Sequence, residues 1–296
     1  MIEFIGNRAA KLLKRAATEI ESDENVLLCY WDTYGDPLPG FDESQYSLCL
    51  RVLPRPITNP IDDKGQLGEI LRARSDLLPC TYADKSAIPY VRSRADGLWF
   101  IKNRYGAGGK QVSCARYDEL SGLELSDNDV LQQAVTDLDL INGRKYTLRC
   151  YMLIWNGKAY LHRYYYRVIH GEPYKADATD YGIQVSLRYS GGGTEFEPVT
   201  DTATNARFDE LLRVHRALAR EFAFIVEEST RETFSLLGCD FLVERSGRAR
   251  LIEVNAYPNL VHLDSAIASQ VIYPMVKDAV ATMVHGEPRG NWESLA

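Results

Sequence analysis

The segment Leu237-Gly238-Cys239-Asp240-Phe241-Leu242-Val243, followed after a Ser246-Gly247 turn by Arg250-Leu251-Ile252-Glu253-Val254-Asn255, gathers two carboxylates and an amide at one end of a predicted hairpin. Residues two apart on a strand share a face, so Glu253 and Asn255 point the same way and Asp240 can lie opposite them. An oxygen-only trio of this kind suits Mg²⁺ held partly by phosphate oxygens. A solvated hairpin end carrying ordinary acids is the alternative, and alternation with Leu251, Ile252 and Val254 fits either.

A second segment, Trp99-Phe100-Ile101-Lys102, runs into Asn103-Arg104-Tyr105-Gly106-Ala107-Gly108-Gly109-Lys110. A strand delivers a lysine beside a glycine-rich turn, where backbone N–H groups can approach phosphate oxygens and the lysine adds a point charge. The spacing fits neither the Walker A loop nor the dinucleotide fingerprint, and an ordinary hairpin turn accounts for the glycines as well. In a third segment, Gly143-Arg144-Lys145-Tyr146-Thr147-Leu148-Arg149, alternation puts Lys145, Thr147 and Arg149 on one face, and Arg163 and Arg167 follow at even spacing in the next strand. Four cations on one sheet face repel one another unless an anion lies between them. The plainer reading is an exposed polar face, with which Leu148, Tyr151 and Leu153 alternate poorly.

These residues need elements to hold them. Residues 7–21 carry Ala9, Leu12, Leu13, Ala16 and Ile20 in a helical stripe. Residues 26–31 and 46–53 read as strands of a small α/β unit, and Pro54, Pro56 and Pro60 mark a boundary after it. Beyond it the patterns predict a helix over 64–73, strands over 98–102, 111–115 and 130–135, and two strands within 146–169 around an Asn156-Gly157 turn. An amphipathic helix over 206–226, the hairpin of 234–243 and 250–254, a helix over 268–284 and a loose tail over 286–296 complete the chain. The class is α+β with mostly antiparallel hairpins.

The 296 residues carry 34 Lys+Arg against 41 Asp+Glu, a formal charge of −7, which argues against a diffuse binder of nucleic acid or anionic membrane. With 45% hydrophobic and 25% charged residues the chain has the composition of a folded domain rather than a disordered one. Six scattered cysteines, without a C-x-x-C pair, read as small buried hydrophobes in a reducing compartment. No secretory signal and no apolar run of membrane-spanning length is read, so the expected setting is cytoplasmic, with neither nucleic acid nor membrane as partner.

Taken in order, the segments resemble the tubulin-tyrosine ligase-like branch of the ATP-grasp superfamily over residues 63–284. The resemblance rests on Trp99-Phe100-Ile101-Lys102 before the glycine-rich loop, Val130-Leu131-Gln132-Gln133, and Gly143-Arg144-Lys145-Tyr146-Thr147-Leu148-Arg149. Arg163, Arg167 and Glu172-Pro173-Tyr174 follow, then Thr179-Asp180-Tyr181-Gly182-Ile183-Gln184, in which Asp180 replaces the family's usual Asn. Leu237-Gly238-Cys239-Asp240 and Leu251-Ile252-Glu253-Val254-Asn255-Ala256-Tyr257-Pro258 close the set and are its most specific parts.

The resemblance implies an ATP-grasp fold, in which a small N-terminal α/β subdomain (1–62) precedes a central lid (63–135) and a C-terminal subdomain (136–285) that clasp ATP, with a tail (286–296). It implies that Lys64 and Lys102 contact ATP phosphates beside Gly106, Gly108 and Gly109, and that Gln132, Gln133, Ala134 and Val135 line adenine. Asp240, Glu253 and Asn255 would hold two Mg²⁺ ions, and Lys145, Arg149 and Arg167 would bind the γ-phosphate and an acyl phosphate. Arg163, Asp180, Arg188 and His262 are the candidates for the substrate side.

The implied activity is that of a carboxylate–amine ligase: ATP phosphorylates a carboxylate, and an amine then displaces phosphate to leave an amide. The charge of −7 is poorly matched to the acidic tails of tubulin. A bacterial-type ligase joining an amino acid to another amino acid, a peptide or a small carboxylic acid is therefore expected, rather than a tubulin modifier. A phosphotransferase and a nucleotide-binding module without turnover stay open.

Overall fold

The computed structural model describes residues 1–32, 40–83, 97–106, 111–185, 193–202 and 205–296. It is a mixed α+β structure with two sheets. In the N-terminal part, β1 (Ile2–Gly6), β2 (Val26–Tyr30) and β3 (Leu48–Val52) pair in parallel, with α1 (Ala10–Thr18) between the first two. The proline-rich boundary is itself helical, α2 (Arg55–Asp62), because Pro56 sits in the first turn, where its missing N–H costs nothing. Asp63 then caps α3 (Lys64–Ile70), its carboxylate accepting from the N–H groups of Gly65 and Gln66.

The smaller sheet contains β4 (Thr81–Tyr82), β5 (Leu98–Asn103), β6 (Val112–Arg116) and β7 (Asp129–Gln133), in the spatial order β4-β7-β5-β6. The larger sheet takes its remaining strands from β8 (Arg144–Trp155), β9 (Lys158–His162), β10 (Tyr165–Pro173), β11 (Glu195–Val199), β12 (Thr233–Val243), β13 (Ala249–Asn255) and β14 (Trp292–Ser294). Its main path runs β1-β2-β3-β12-β8-β10-β11, so the N-terminal strands continue into the sheet that carries the β8 and β12 hairpins. The Asn156-Gly157 turn lies where the sequence placed it, with φ of 53° and 67°, the left-handed geometry a two-residue hairpin turn requires.

From Cys150 to Trp155 both faces of β8 are buried, which explains its poor alternation of polarity. Leu148, Cys150, Met152 and Ile154 pack into the core under α5 (Ala206–Glu221) and α6 (Ala223–Glu228). Tyr151, Leu153 and Trp155 pack into the other core, with α1 and the C-terminal helices. Those helices are α7 (Ser265–Ile267) and, after a π turn, α8 (Tyr273–His285), while the short α4 (Tyr181–Gln184) lies against β10. The long helix expected over 206–226 breaks at Phe222, whose fully buried ring anchors the joint between α5 and α6. Residues 286–296, read as a loose tail, are instead tied down: β14 pairs with β9, and Trp292 and Leu295 are buried. Among the described residues no helix is long and apolar enough to cross a membrane.

Candidate active site

The two sheets face each other across a cavity of about 610 Å³, within the range of small-molecule sites. Its floor is a row of cross-strand partners on the larger sheet. Glu253 of β13 opposes Asp240 of β12, Asp240 opposes Arg149 of β8, and Arg149 opposes Tyr166 of β10. Directly opposed residues of antiparallel strands share a face, so one row presents two carboxylates, a guanidinium and a phenol to the cavity. The register slips beside Asp240, leaving Ile252 as an extra residue on β13. Such a bulge lets Ile252 and Glu253, though adjacent, both line the cavity.

Arg149 holds Asp240 through two hydrogen bonds, Nε to Oδ1 at 2.5 Å and Nη2 to Oδ2 at 2.7 Å. Asn255 reaches the same carboxylates, its Nδ2 lying 3.4 Å from both Asp240 Oδ2 and Glu253 Oε1. Burial pushes the Asp240 carboxyl up, against Arg149, and Glu253 adds to the rise. Burial acts the same way on Glu253, but Lys64 and Lys102 outweigh it and hold that carboxyl down. Beside this floor Gly238 leaves no room for a side chain: a Cβ there would lie 2.9 Å from Pro258 Cβ and 3.3 Å from Arg149 Nη1.

The lysines come from the other side. Lys64, in the first turn of α3, donates to the Gly106 carbonyl at 2.7 Å and lies 3.6 Å from Glu253 Oε2. Lys102, on β5, donates to Gln132 Oε1 at 2.7 Å. Gln132 is buried and also reaches Thr81 Oγ1 at 3.0 Å. Gln133 and Val135 line the cavity, and the Ala134 N–H is taken by the Leu98 carbonyl at 2.9 Å. Burial lowers Lys102 to about 8, with Glu253 opposing the shift.

Lys145 lines the same cavity but in a different neighbourhood. Its Nζ donates to the Gln184 carbonyl at 2.9 Å and sits 4.9 Å from the centre of the Phe100 ring. Burial lowers it to about 7, Cys114 opposing and Lys102 adding to the shift. His170 lines the cavity beside it, with Nδ1 3.3 Å from the Ile183 carbonyl, and burial followed by Lys145 holds it down to about 3, hence neutral.

Several expected site residues lie elsewhere. Because Arg149 opposes Tyr166, even-numbered residues of β10 share the face of odd-numbered residues of β8. Arg167 therefore turns to the α5 side, where Nη1 donates to Glu197 Oε2 at 2.9 Å. Arg163 lies between β9 and β10, donates to Glu293 Oε1 at 2.7 Å and covers the Phe208 ring. Even spacing in sequence was the wrong guide, since the hairpin register decides which parity faces the cavity. Asp180 is exposed and stands just before α4, its side chain making no cap bond, outside the cavity lining. His262 is buried between the rings of Tyr166 and Phe196, behind the wall they form, and Nδ1 accepts from the Asp264 N–H. Gly106 lines the cavity, whereas Gly108, Gly109 and Arg188 fall outside the described residues.

The structure adds Arg8, Phe100, His170 and Gln184 to the lining. Phe100 was detectable, since it lies two residues before Lys102 on the same strand. His170 needed the β8–β10 register, and Arg8 has no local signal: it is positioned by Asp32 at 3.1 Å and the Tyr257 carbonyl at 3.2 Å. Among the described residues no three His, Cys, Asp or Glu side chains form a metal cluster. The donor set of Asp240, Glu253 and Asn255 is nonetheless all oxygen. Two carboxylates and an amide fit Mg²⁺ that takes its remaining ligands from phosphate and water.

A family model described as "Tubulin-tyrosine ligase family" matches residues 197–291, the stretch that contains Asp240, Glu253 and Asn255. "Protein monoglycylase TTLL8" from Homo sapiens is 23% identical over 239 residues, which cover 68% of this chain. The chain spans 28% of the length of that relative. Set beside the two-sheet α+β architecture, these matches support a tubulin-tyrosine-ligase-like protein of the ATP-grasp type.

Proposed function

We propose that this chain is an ATP-dependent carboxylate–amine ligase, joining an amino acid to another amino acid, a peptide or a small carboxylic acid, with ADP and phosphate as products. The observation that carries the reading is the row Glu253–Asp240–Arg149 lying across one cavity from Lys64 and Lys102. Opposed charges at this density, without a nucleophilic Ser or Cys among them, suit phosphoryl transfer, which depends on positioning and charge neutralisation rather than on a covalent enzyme intermediate.

In this reading Lys64 and Lys102 bind the phosphates, residues 132–135 flank the base, and Lys145 serves the nucleotide end of the cavity. Asp240, Glu253 and Asn255 would hold Mg²⁺, which would supply neutralisation of phosphate charge. Arg149 stands where the substrate carboxylate meets the γ-phosphate, and it stabilises the anionic acyl phosphate until the amine attacks. Residues 63–135 act as the lid over 136–285, with 1–62 completing the substrate side and 286–296 as the tail. The name of the human relative, a protein monoglycylase, supports an amino acid as one partner of the bond. The net charge of −7 supports a compact substrate rather than a polyanion.

The test is ADP release screened over pairs of carboxylates and amines, with mass spectrometry of the products. ADP that requires both partners, with a product lighter than their sum by one water, is the expected result. ADP from a single hydroxylated compound would overturn it in favour of a phosphotransferase.

A further inference from the structure

The row that carries the charges does not end at Arg149. Its next members are Tyr166 on β10 and Pro198 on β11, and the neighbouring row carries Thr147, Val168 and Phe196. Strands are spaced about 4.8 Å apart, so this ground begins one strand beyond Arg149 and two beyond Asp240. Tyr166, Val168 and Phe196 all line the cavity. They are held from behind: the His262 ring stands edge-on to Tyr166 at 5.4 Å and to Phe196 at 4.6 Å. Across the sheet, the floor thus changes from anionic to cationic to aromatic and aliphatic within one cavity.

Building on the ligase reading, we propose that the carboxylate substrate activated beside Arg149 carries an apolar or aromatic group, which lies over Tyr166, Val168 and Phe196. The order of the strands dictates this. A carboxylate engaged by Arg149, with the phosphates on its Asp240 side, extends along that row toward β10 and β11. An acidic side chain placed over Tyr166, Val168 and Phe196 would lose water and, among the described residues, meet no cation in those positions of the wall. Arg167 turns to the opposite face, Arg149 is taken by the carboxylate being activated, Lys145 donates to the Gln184 carbonyl beyond Thr147, and Arg8 is shared between Asp32 and the Tyr257 carbonyl. Burying an unpaired carboxylate is strongly unfavourable, whereas an aliphatic or aromatic group gains by leaving water.

Hydroxylamine separates the carboxylate step from the choice of amine. A substrate carboxylate oxygen bonds to the γ-phosphorus as the bond to the β,γ-bridging oxygen breaks and ADP leaves. Hydroxylamine nitrogen then attacks the acyl carbon, phosphate leaves, and a proton passes to solvent, giving a hydroxamate. The assay uses the full chain with Mg-ATP and a matched series of N-acetyl amino acids: leucine, phenylalanine, glutamate and lysine. Leucine or phenylalanine is expected to exceed glutamate in kcat/KM by about tenfold or more. Val168→Lys, which adds a cation to the wall, should shift the glutamate-to-leucine ratio toward glutamate by about tenfold, and Phe196→Ala should lower the phenylalanine rate selectively.

Equal rates across the series, or a preference for glutamate, would overturn the specificity while leaving the ligase reading standing. No hydroxamate from any carboxylate would overturn both. The wild-type series decides the matter even if neither variant folds.

Discussion

Arg149 and Asp240 are cross-strand partners on β8 and β12 and hold each other by a two-point hydrogen-bonded ion pair on the cavity floor. In the proposed reading Asp240 would hold Mg²⁺ in place of Arg149, which would leave the Arg149 guanidinium for an anionic substrate. Removing one partner of a buried pair leaves the other uncompensated, at about 3–5 kcal/mol. Arg149→Met should lower the urea midpoint accordingly and reduce turnover about a hundredfold or more. The double variant Arg149→Met/Asp240→Asn should recover much of the stability and none of the turnover. Recovery of both would place the pair outside the chemistry.

Glu253 is the carboxylate that the lysines hold ionised. Glu253→Ala should abolish Mg²⁺-dependent ADP release while the circular dichroism spectrum stays unchanged. Turnover that persists, with the same Mg²⁺ dependence, would remove Glu253 from the metal site.

Lys102 is buried, and among the described residues its hydrogen bond goes to a neutral amide oxygen rather than to an anion. Lys102→Met should weaken ATP binding by about tenfold to a hundredfold, the worth of one charged hydrogen bond. Titration calorimetry measures it, and unchanged affinity would assign Lys102 to packing.

The low values of Lys145, about 7, and Lys102, about 8, give ATP binding a defined pH dependence. Both groups are partly neutral at pH 8 and must charge to meet a triphosphate, so binding should take up protons and affinity should fall between pH 7 and 9. Without nucleotide the sign for stability is the opposite. Each lysine releases its proton more readily folded than unfolded, so its contribution to stability is present above the ordinary value of 10.5 and is lost as pH falls through about 7 for Lys145. Thermal melts of the free protein should rise over that window, and Lys145→Met should flatten the rise.

Arg163 and Arg167 lie away from the cavity, paired with Glu293 and Glu197. Arg163→Ala and Arg167→Ala should each keep turnover within about threefold of the parent, as expected for surface ion pairs worth about 1 kcal/mol or less. A hundredfold loss in Arg167→Ala would show that the β8–β10 register shifts on ligand binding.

The contrast between those two arginines and Arg149 shows where sequence reading stops. Local periodicity was enough to place Asp240, Glu253 and Asn255 together, because a hairpin with a short turn has few possible registers. It was enough for Asn156-Gly157, where backbone geometry selects the residue types. It failed for Arg167, because the face a residue occupies depends on pairing between strands joined through β9, and a single-residue change in register inverts every side chain. Arg8 was beyond reach for a different reason: it enters the cavity from β1's end only because strands far apart in sequence share one sheet. The proline-rich boundary hid α2, since Pro reads as a breaker unless its place in the first turn is known.

One edge of β12 is shared. Thr233 and Phe234 at its start pair with Arg51 and Val52 of β3, and from Gly238 to Val243 the same edge pairs with β13. The strand that carries Asp240 is thus completed by residues nearly two hundred positions earlier in the chain. During synthesis that edge stays open until the two distant segments meet, and contacts of such sequence separation form slowly. A shortened chain beginning at residue 63 would leave part of this edge unpaired, exposing hydrogen-bonding groups that invite strand addition by other molecules. Expression of such a fragment should therefore give aggregate where the whole chain gives soluble protein, a folding debt incurred at the first strand and settled only at the twelfth.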